Sequence, residues 1–157
     1  MDVNVNGVFN TVLPLIERFK SRRNGQIAVV SSISGIADYP RSLSYSMSKT
    51  ALNNFCRDLR ELLSHYNVAV TAICPGFVQT GFTKYSIMRR GSVPLLMDVA
   101  TATKIIVDGL EKNAPMITFP TPLYLLAFAM RALPATMLDL IVPLIASSKK
   151  QSWDHIG

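Results

Sequence analysis

The sequence predicts an α/β fold in which helices cover both faces of a parallel β-sheet. Three short runs rich in β-branched residues, QIAVVSS, VAVTAIC and MITFP, have the composition of buried parallel strands. Stretches with apolar residues three and four positions apart lie before, between and after these runs, and this spacing is the helical period. Helices and strands alternate in this way in βαβ crossovers, whose strands all run in the same direction.

The apolar pattern places each element in order. The first helix is expected over residues 3–19, ahead of the first strand. A long helix is expected over about 43–65, with its apolar residues facing the core. The second strand stops at Pro75-Gly76, and a further helix is expected over 97–113 with Asp98 as a possible cap. The third strand follows it.

Composition excludes several classes of protein. At 157 residues the chain has the length of about one domain, and 49% of its residues are hydrophobic, which is enough for a core. The net charge is +6, but the basic residues are scattered, so no nucleic-acid partner is expected. Two cysteines and two histidines form no convergent ligand set, so no metal site is expected. No basic segment leads into an apolar run at the start, so a cytoplasmic protein is expected.

The stretch SYSMSK places Tyr45 four residues before Lys49 at the start of the long helix. Four residues make slightly more than one helical turn, so the two side chains lie on the same face. An ammonium beside a phenol favours the phenolate, and such a tyrosine can transfer a proton at neutral pH. The same spacing arises by chance on ordinary helices, so the pair predicts a site only together with other polar groups.

Such groups are expected at one edge of the sheet. Ser32 follows the first strand, and Pro75 and Gly76 follow the second. Ligands of open parallel α/β sheets bind outside the carboxyl ends of the strands, where these residues and the start of the Tyr45 helix converge. Ser32 lies in no Gly-x-Ser-x-Gly motif and has no obvious histidine partner, so a hydrolase is not expected.

In these residues the sequence resembles the short-chain dehydrogenase/reductase (SDR) family, whose members bind a nicotinamide cofactor on a Rossmann fold. Four motifs match in order: NVNG at 4–7, VVSS ending at Ser32, YSMSK at 45–49 and PGFVQT at 75–80. The step of thirteen residues from Ser32 to Tyr45 is the usual one in this family. The resemblance extends to about Phe119, and it implies the C-terminal half of a Rossmann-type, doubly wound parallel sheet.

The resemblance implies a role for each matching residue. Tyr45 exchanges a proton with the carbonyl or alcohol oxygen, and Lys49 supports its ionised form and holds the nicotinamide ribose. Ser32 hydrogen-bonds the substrate oxygen, and Asn4 corresponds to the asparagine that holds a water behind the lysine. Pro75, Gly76, Val78 and Thr80 correspond to the segment that wraps the nicotinamide end of the cofactor in this family. The implied cofactor is NAD or NADP, with no choice between them.

The sequence departs from the family pattern ahead of Asn4. In the family a glycine-rich turn that binds the pyrophosphate precedes the asparagine motif, and this sequence contains no Gly-x-Gly-x-x-Gly. We therefore interpret residues 1–120 as a partial Rossmann-type catalytic region without the cofactor-binding half, followed by an apolar helical tail at 121–157. The first strand is expected to present an unpaired edge.

Two interpretations of function follow from the resemblance. The first is a truncated NAD(P)-dependent oxidoreductase that interconverts an alcohol and a carbonyl and is inactive alone. The alternative is a non-catalytic interaction module that pairs with a full-length relative through its first helix and its Tyr45–Lys49 helix. These two helices form a dimer interface in many family members, so the full-length form is expected to be a homo-oligomer.

The apolar tail and one loop suggest which substrate the protein uses and whether it contacts a membrane. Residues 122–146 carry only two charges, but prolines keep the apolar runs below the roughly 18 to 20 residues that a membrane-spanning helix needs. Residues 122–150 either lie on a membrane surface, or they pack on the domain or line an apolar substrate pocket, and the sequence favours neither interpretation. The substrate is expected to be a small hydrophobic alcohol or ketone, because the substrate-facing loop and its surroundings are apolar at Phe77, Phe82, Tyr85, Leu95 and Leu96.

Overall fold

The computed structural model describes residues 1–37, 43–84, 93–134 and 136–140. Within them, three strands form one parallel sheet in the order β1-β2-β3. The strands are β1 (Gly25–Val30), β2 (Val68–Pro75) and β3 (Met116–Phe119). Helices pack on both faces of this sheet, so the predicted α/β fold with about three strands is confirmed.

The N-terminal helical segment is continuous but irregular. A π-helical turn, Asp2–Asn6, leads into α1 (Gly7–Val12), and a 3-10 turn, Leu13–Leu15, connects α1 to α2 (Ile16–Arg22). Pro14 lies in the 3-10 turn, and because proline lacks the N–H of a helical hydrogen bond, the α-helix is interrupted there. The apolar period predicts the helical segment but not this interruption.

Helix α3 (Leu43–Ser64) covers one face of the sheet and matches the predicted long helix. Its buried residues recur at helical spacing and contact the alternate residues of β1 and β2 that face them. The main buried apolar residues of this layer are Leu52, Leu59 and Leu63 of α3 with Ile27, Val29 and Val70 of the sheet. Since α3 ends just before β2 begins, its first turns lie at the carboxyl end of the strands.

Helix α4 (Val99–Glu111) covers the opposite face. Ala102 packs with Ile73, Ile117 and Phe119 in a second, smaller apolar cluster. Asp98 caps the helix as predicted, because its carboxylate accepts a hydrogen bond from the Thr101 N–H at 2.8 Å.

The described part of the tail begins with helix α5 (Thr121–Ala132), and residues 136–140 are also helical. The inner side of α5 contacts the larger apolar cluster through Leu123, Tyr124 and Ala127. None of the helices described is long and apolar enough to cross a membrane. The remainder of the predicted tail, 141–157, and the loop residues 85–92, which include Tyr85, lie outside the described residues.

β1 is an edge strand, as predicted, because only β2 pairs with it in the part of the chain that the structure describes. The Ser31 N–H donates to the Ile73 carbonyl at 2.7 Å, which extends the pairing one residue beyond β1. Successive residues of a strand direct their backbone groups to opposite sides, so the N–H and C=O groups of Ala28 and Val30 face away from β2. The Val30 side chain is 60% exposed.

Candidate active site

The carboxyl ends of β1 and β2 bring Ser32 and Pro75 together. β1 leads into a 3-10 turn, Ile33–Gly35, of which Ser32 is the N-cap. Ser32 Oγ accepts a hydrogen bond from the Ser34 N–H at 3.1 Å and lies 3.4 Å from the Pro75 carbonyl oxygen. The hydroxyl is therefore held at the end of the sheet by groups from two strands, and the residue is almost fully buried.

The turn that carries Ser32 packs directly on α3. A Cβ atom on Gly35 would lie 2.5 Å from the Lys49 carbonyl carbon and 2.7 Å from its oxygen, so only glycine fits this contact. Ser31 Oγ donates to the Lys49 carbonyl at 3.0 Å, and Thr50 Oγ1 donates to the Gly35 carbonyl at 3.2 Å. These contacts fix the Ser32 turn relative to the helix that carries the tyrosine and the lysine.

Tyr45 and Lys49 share one face of α3, as the four-residue spacing predicts. Lys49 Nζ lies 5.6 Å from the centroid of the Tyr45 ring and donates a hydrogen bond to the Val30 carbonyl at 2.9 Å. Lys49 is only 8% exposed. Burial lowers the pKa of its ammonium below the usual 10.5, and the neighbouring Cys74 opposes this effect.

Asn4 reaches this helix through Ser48. Asn4 Nδ2 donates to Ser48 Oγ at 3.1 Å, and Ser48 Oγ donates to the Tyr45 carbonyl at 2.7 Å. The sequence interpretation overlooked Ser48, although its position three residues after Tyr45 placed it on the same side of the helix. Asn6, to which no role was given, hydrogen-bonds Asp2 at 2.9 Å on the surface.

The segment that follows β2, residues 76–80, begins beside the site and then leads away from it. The Gly76 N–H donates to the Phe119 carbonyl at 2.7 Å, and a Cβ atom on Gly76 would lie 2.9 Å from Leu123 Cδ2. Val78 pairs with Met97 in an isolated parallel bridge. Thr80 is exposed, and its N–H donates to the Val78 carbonyl at 2.7 Å.

The chain then returns to the tyrosine, because the rings of Phe82 and Tyr45 lie 6.4 Å apart between centroids. The structure therefore brings Ser32 to Pro75 and Tyr45 to Lys49. It leaves Val78 and Thr80 on the connection between β2 and Phe82.

A buried thiol lies behind the lysine. Cys74 Sγ lies 3.3 Å from Asn53 Oδ1, and burial raises the pKa of the Cys74 thiol to about 11. Burial likewise raises the pKa of Cys56 to about 12. Both thiols therefore stay protonated near neutral pH and fill space as small apolar groups rather than acting as nucleophiles.

A sequence model described as short chain dehydrogenase matches residues 1–90, which is more than half of the chain. The chain belongs to the short-chain dehydrogenase family. This confirms the predicted resemblance, and the parallel sheet with helices on both faces is the C-terminal half of the Rossmann-type fold that the resemblance implied.

Two relatives show the extent of the similarity. An uncharacterized oxidoreductase of Myxococcus xanthus is 29% identical over 139 residues, which are 88% of this chain and 54% of that protein. The human 17-beta-hydroxysteroid dehydrogenase 13 is 30% identical over 123 residues, which are 76% of this chain and 40% of that protein. The chain thus spans about half of the first relative and less of the second.

A solved structure agrees with this assignment. The crystal structure of a short chain dehydrogenase from Burkholderia cenocepacia, in complex with NADP, superposes with a TM-score of 0.73 at 25% identity. The match covers 90% of this chain and 59% of the Burkholderia chain. The chain therefore belongs to a family of longer proteins and spans 54% of the Myxococcus protein and 59% of the Burkholderia chain.

Proposed function

We propose that the chain forms the proton-transfer half of an NAD(P)-dependent oxidoreductase that interconverts an alcohol and a carbonyl. The observation that carries this proposal is the pairing of Lys49 with Tyr45 on α3, beside the end of β1 that leads to Ser32. Lys49 Nζ bonds the Val30 carbonyl, two residues before Ser32, and lies 5.6 Å from the Tyr45 ring. A phenol, an ammonium and a hydroxyl at the carboxyl edge of a parallel sheet suit proton transfer to a ligand bound there.

Each residue has a separate task in the proposed reaction. In the reducing direction Tyr45 gives its phenolic proton to the substrate oxygen, and in the oxidising direction it takes the proton back. The Lys49 ammonium stabilises the phenolate that remains, and its burial strengthens this attraction because the local dielectric constant is low. Ser32 Oγ donates a hydrogen bond to the oxygen as negative charge develops on it. Asn4 positions the first turn of α3 through Ser48.

The residues present suit one end of a nicotinamide dinucleotide, which when bound supplies or accepts the hydride. Tyr45 and Lys49 would hold the nicotinamide ribose, and Pro75, Gly76, Val78 and Thr80 would flank the ring. The pyrophosphate needs a glycine-rich turn at a helix N-terminus, and the sequence contains no Gly-x-Gly-x-x-Gly. We therefore propose that the 157-residue chain alone transfers no hydride, and that NAD and NADP are both open as cofactors of the complete site.

The proposed substrate is a small hydrophobic alcohol or ketone. Phe82 lies beside the Tyr45 ring and is 70% exposed, so an apolar side chain is free to contact a ligand next to the phenol. Leu95 and Leu96, on the same connection, are also exposed. One relative is named for a hydroxysteroid, which is a substrate of this class.

The proposal is tested by completing the site. The part of the Burkholderia enzyme that precedes the aligned region is fused ahead of Met1, and hydride transfer from NADPH and NADH to hydrophobic ketones is followed by absorbance. The fused protein should be active, and Tyr45→Phe should lower kcat/KM by about 100-fold to 10,000-fold because the proton donor is lost. Tyr66→Phe, at a tyrosine in the turn just after α3, should leave the rate unchanged.

Two results would contradict this proposal. An unchanged rate in the Tyr45→Phe fusion would remove the tyrosine from the chemistry. Hydride transfer by the 157-residue chain without the added segment would show that the chain is active alone.

A second candidate function is an interaction module that pairs with a full-length relative, and we propose it on a different observation. Apolar side chains stay exposed on the first helical segment and on the outer side of α3. Val3 is 88% exposed, Leu43 63% and Met47 52%. Mixing the chain with a full-length relative should give a heterodimer in light scattering, and Met47→Glu should abolish it. Val107→Glu, on α4, is the matched control, and an unchanged heterodimer in Met47→Glu would exclude this interface.

A further inference from the structure

Helix α5 has an apolar side that points to solvent. Leu125, Leu126 and Phe128 are 57%, 54% and 56% exposed. The smaller residues around them are also exposed and also lack hydrogen-bonding side chains. We call this surface the α5 outer face, and its residues are Pro122, Leu125, Leu126, Phe128, Ala129 and Ala132.

The opposite side of the same helix already packs on the core through Leu123, Tyr124 and Ala127. A helix at the surface of a soluble domain normally presents polar residues opposite its core-facing side. On α5 both sides are apolar, and the exposed polar side chains are confined to its two ends, Thr121 and Arg131. The exposed apolar character continues beyond α5, where Met137 and Leu140 are 51% and 71% exposed. An exposed apolar helix face of this kind marks an interaction site.

The chemistry of the face favours lipid over a protein partner. A protein interface carries roughly one hydrogen bond per 100–200 Å², and the α5 outer face has no side chain that can make one. Acyl chains require no directional partner. Charge points the same way, because residues 121–150 contain three basic side chains, Arg131, Lys149 and Lys150, and one acidic side chain, Asp139.

We propose that the α5 outer face binds the surface of an anionic phospholipid bilayer, with the helix lying in the plane of the interface. Leu125, Leu126 and Phe128 enter the boundary between headgroups and acyl chains. Arg131, whose Nη1 lies 3.5 Å from the Ile36 carbonyl oxygen, stands at the end of the helix near the level of the phosphates. In this proposal the contact is peripheral, because the helix lies on the surface and its inner side stays packed on the domain. The inner side of α5 contacts Gly76 through Leu123, so this contact would place a membrane beside the candidate active site.

Vesicle flotation tests the proposal. The 157-residue chain is mixed with vesicles of phosphatidylcholine alone, or of phosphatidylcholine with phosphatidylserine, and the floated fraction is measured. The chain should float with the anionic vesicles, and added salt should reduce the floated fraction. Leu125→Glu should weaken partitioning at least about tenfold, because an apolar contact is lost and a negative charge is brought to the lipid. Leu62→Glu, an equally exposed leucine on α3, is the matched control and should float like the unchanged protein.

A second measurement introduces no charge into the α5 outer face. An environment-sensitive fluorophore on Leu126→Cys should shift to the blue when anionic vesicles are added, whereas the same dye on Leu62→Cys should not. Cys56 and Cys74 are buried and do not compete for the dye. Failure of the unchanged chain to float, equal flotation of Leu125→Glu, or no shift at residue 126 would each overturn the proposal. Loss of a dimer in Leu125→Glu with unchanged flotation would identify the face as a protein interface and also overturn it.

Discussion

Lys49 is the residue on which the candidate site most depends. Its ammonium is buried and hydrogen-bonded to a neutral carbonyl, that of Val30, rather than to a carboxylate. Burial of a charge without an opposite charge costs free energy, and the pKa of Lys49 is lowered for this reason. The fold therefore holds a destabilising group at its sheet edge, which is typical of functional positions.

This cost predicts a dependence of stability on pH. The unfolded chain binds a proton at Lys49 up to a pH near 10.5, whereas the folded chain releases it at lower pH. In the interval just below 10.5 the unfolded state holds more protons, so a rise in pH should stabilise the folded protein. We expect the free energy of unfolding of the unchanged chain to rise relative to Lys49→Met as the pH is raised from neutrality through this interval. Urea unfolding of both proteins at several pH values measures this difference in the free energy of unfolding.

The control for this effect is Lys112→Met, at an exposed lysine that follows α4. The difference in unfolding free energy between that variant and the unchanged chain should not show the same rise. A constant difference for Lys49→Met across the whole interval would show that the ammonium is well solvated, contrary to the structure.

Gly35 gives a second prediction at the residue scale. Gly35→Ala places a methyl group 2.5 Å from a backbone carbon of α3, which cannot move without shifting the helix or the Ser32 turn. We expect a loss of about 1–3 kcal/mol in the free energy of unfolding, measured with urea. Gly81→Ala is the matched control, because no atom lies within 4 Å of the added methyl group. Its effect should stay within about 0.5 kcal/mol, and equal effects of the two substitutions would contradict the close packing.

Some residues of the candidate site could be predicted from sequence and others could not. Tyr45 and Lys49 are related by spacing within one helix, Ser32 comes after β1 and Pro75 ends β2, so local patterns were sufficient. The contacts of Gly35 with Lys49 and of Asn4 with Ser48 join residues 14 and 44 positions apart. Such contacts depend on how the helices pack against the sheet, which no local pattern encodes.

At the scale of elements, the apolar period located the helices and strands well. Helix α3 buries helically spaced residues, β1 buries alternating residues, and β2 is buried almost throughout, and burial is the property that these patterns report. The break at Pro14 was missed because the apolar residues continue at helical spacing on both sides of it. The tail that contains α5 is predicted to be apolar, but which of its residues face the core is visible only in the fold.

Asp98 gives a prediction for the start of α4. The hydrogen bond from the Thr101 backbone N–H lowers the pKa of the Asp98 carboxyl below 3.8. Its contribution to stability is therefore present above pH 3.8 and lost as the pH falls through the lower pKa of the folded state. Asp98→Ala should lower Tm at pH 7, and the difference from the unchanged protein should shrink in acid.

Asp98→Asn is the informative control, because the amide oxygen still accepts the hydrogen bond but carries no charge. This variant should keep most of the Tm at pH 7 and should lack the acid-dependent loss that the carboxylate shows. An equal Tm for Asp98→Ala and the unchanged protein at pH 7 would mean that the cap does not stabilise α4.

For the whole molecule, the decisive feature is that β1 has an unpaired edge and one uncovered face. Helix α3 covers one face of the sheet and α4 covers the other, but α4 packs on β2 and β3 and leaves the side chains of Ala28 and Val30 exposed. The relatives are about twice as long as the matched region or longer, with 54% and 40% of their lengths covered. In our proposal, residues that such relatives possess would cover this edge and complete the cofactor site.

The open edge predicts an alternating pattern of amide hydrogen exchange along β1. The N–H groups of Val29 and Ser31 point to β2, and that of Ser31 donates to Ile73 at 2.7 Å, so they should exchange slowly. The N–H groups of Ala28 and Val30 face the other side and should exchange faster by orders of magnitude. NMR of the 157-residue chain measures both sets in one experiment.

The fusion with the Burkholderia segment is the control. In it, a strand paired with this edge should slow the amide exchange of Ala28 and Val30 to the rate of Val29. Uniform slow exchange in the unfused chain would mean that this edge of β1 is already covered, contrary to the open edge in the structure.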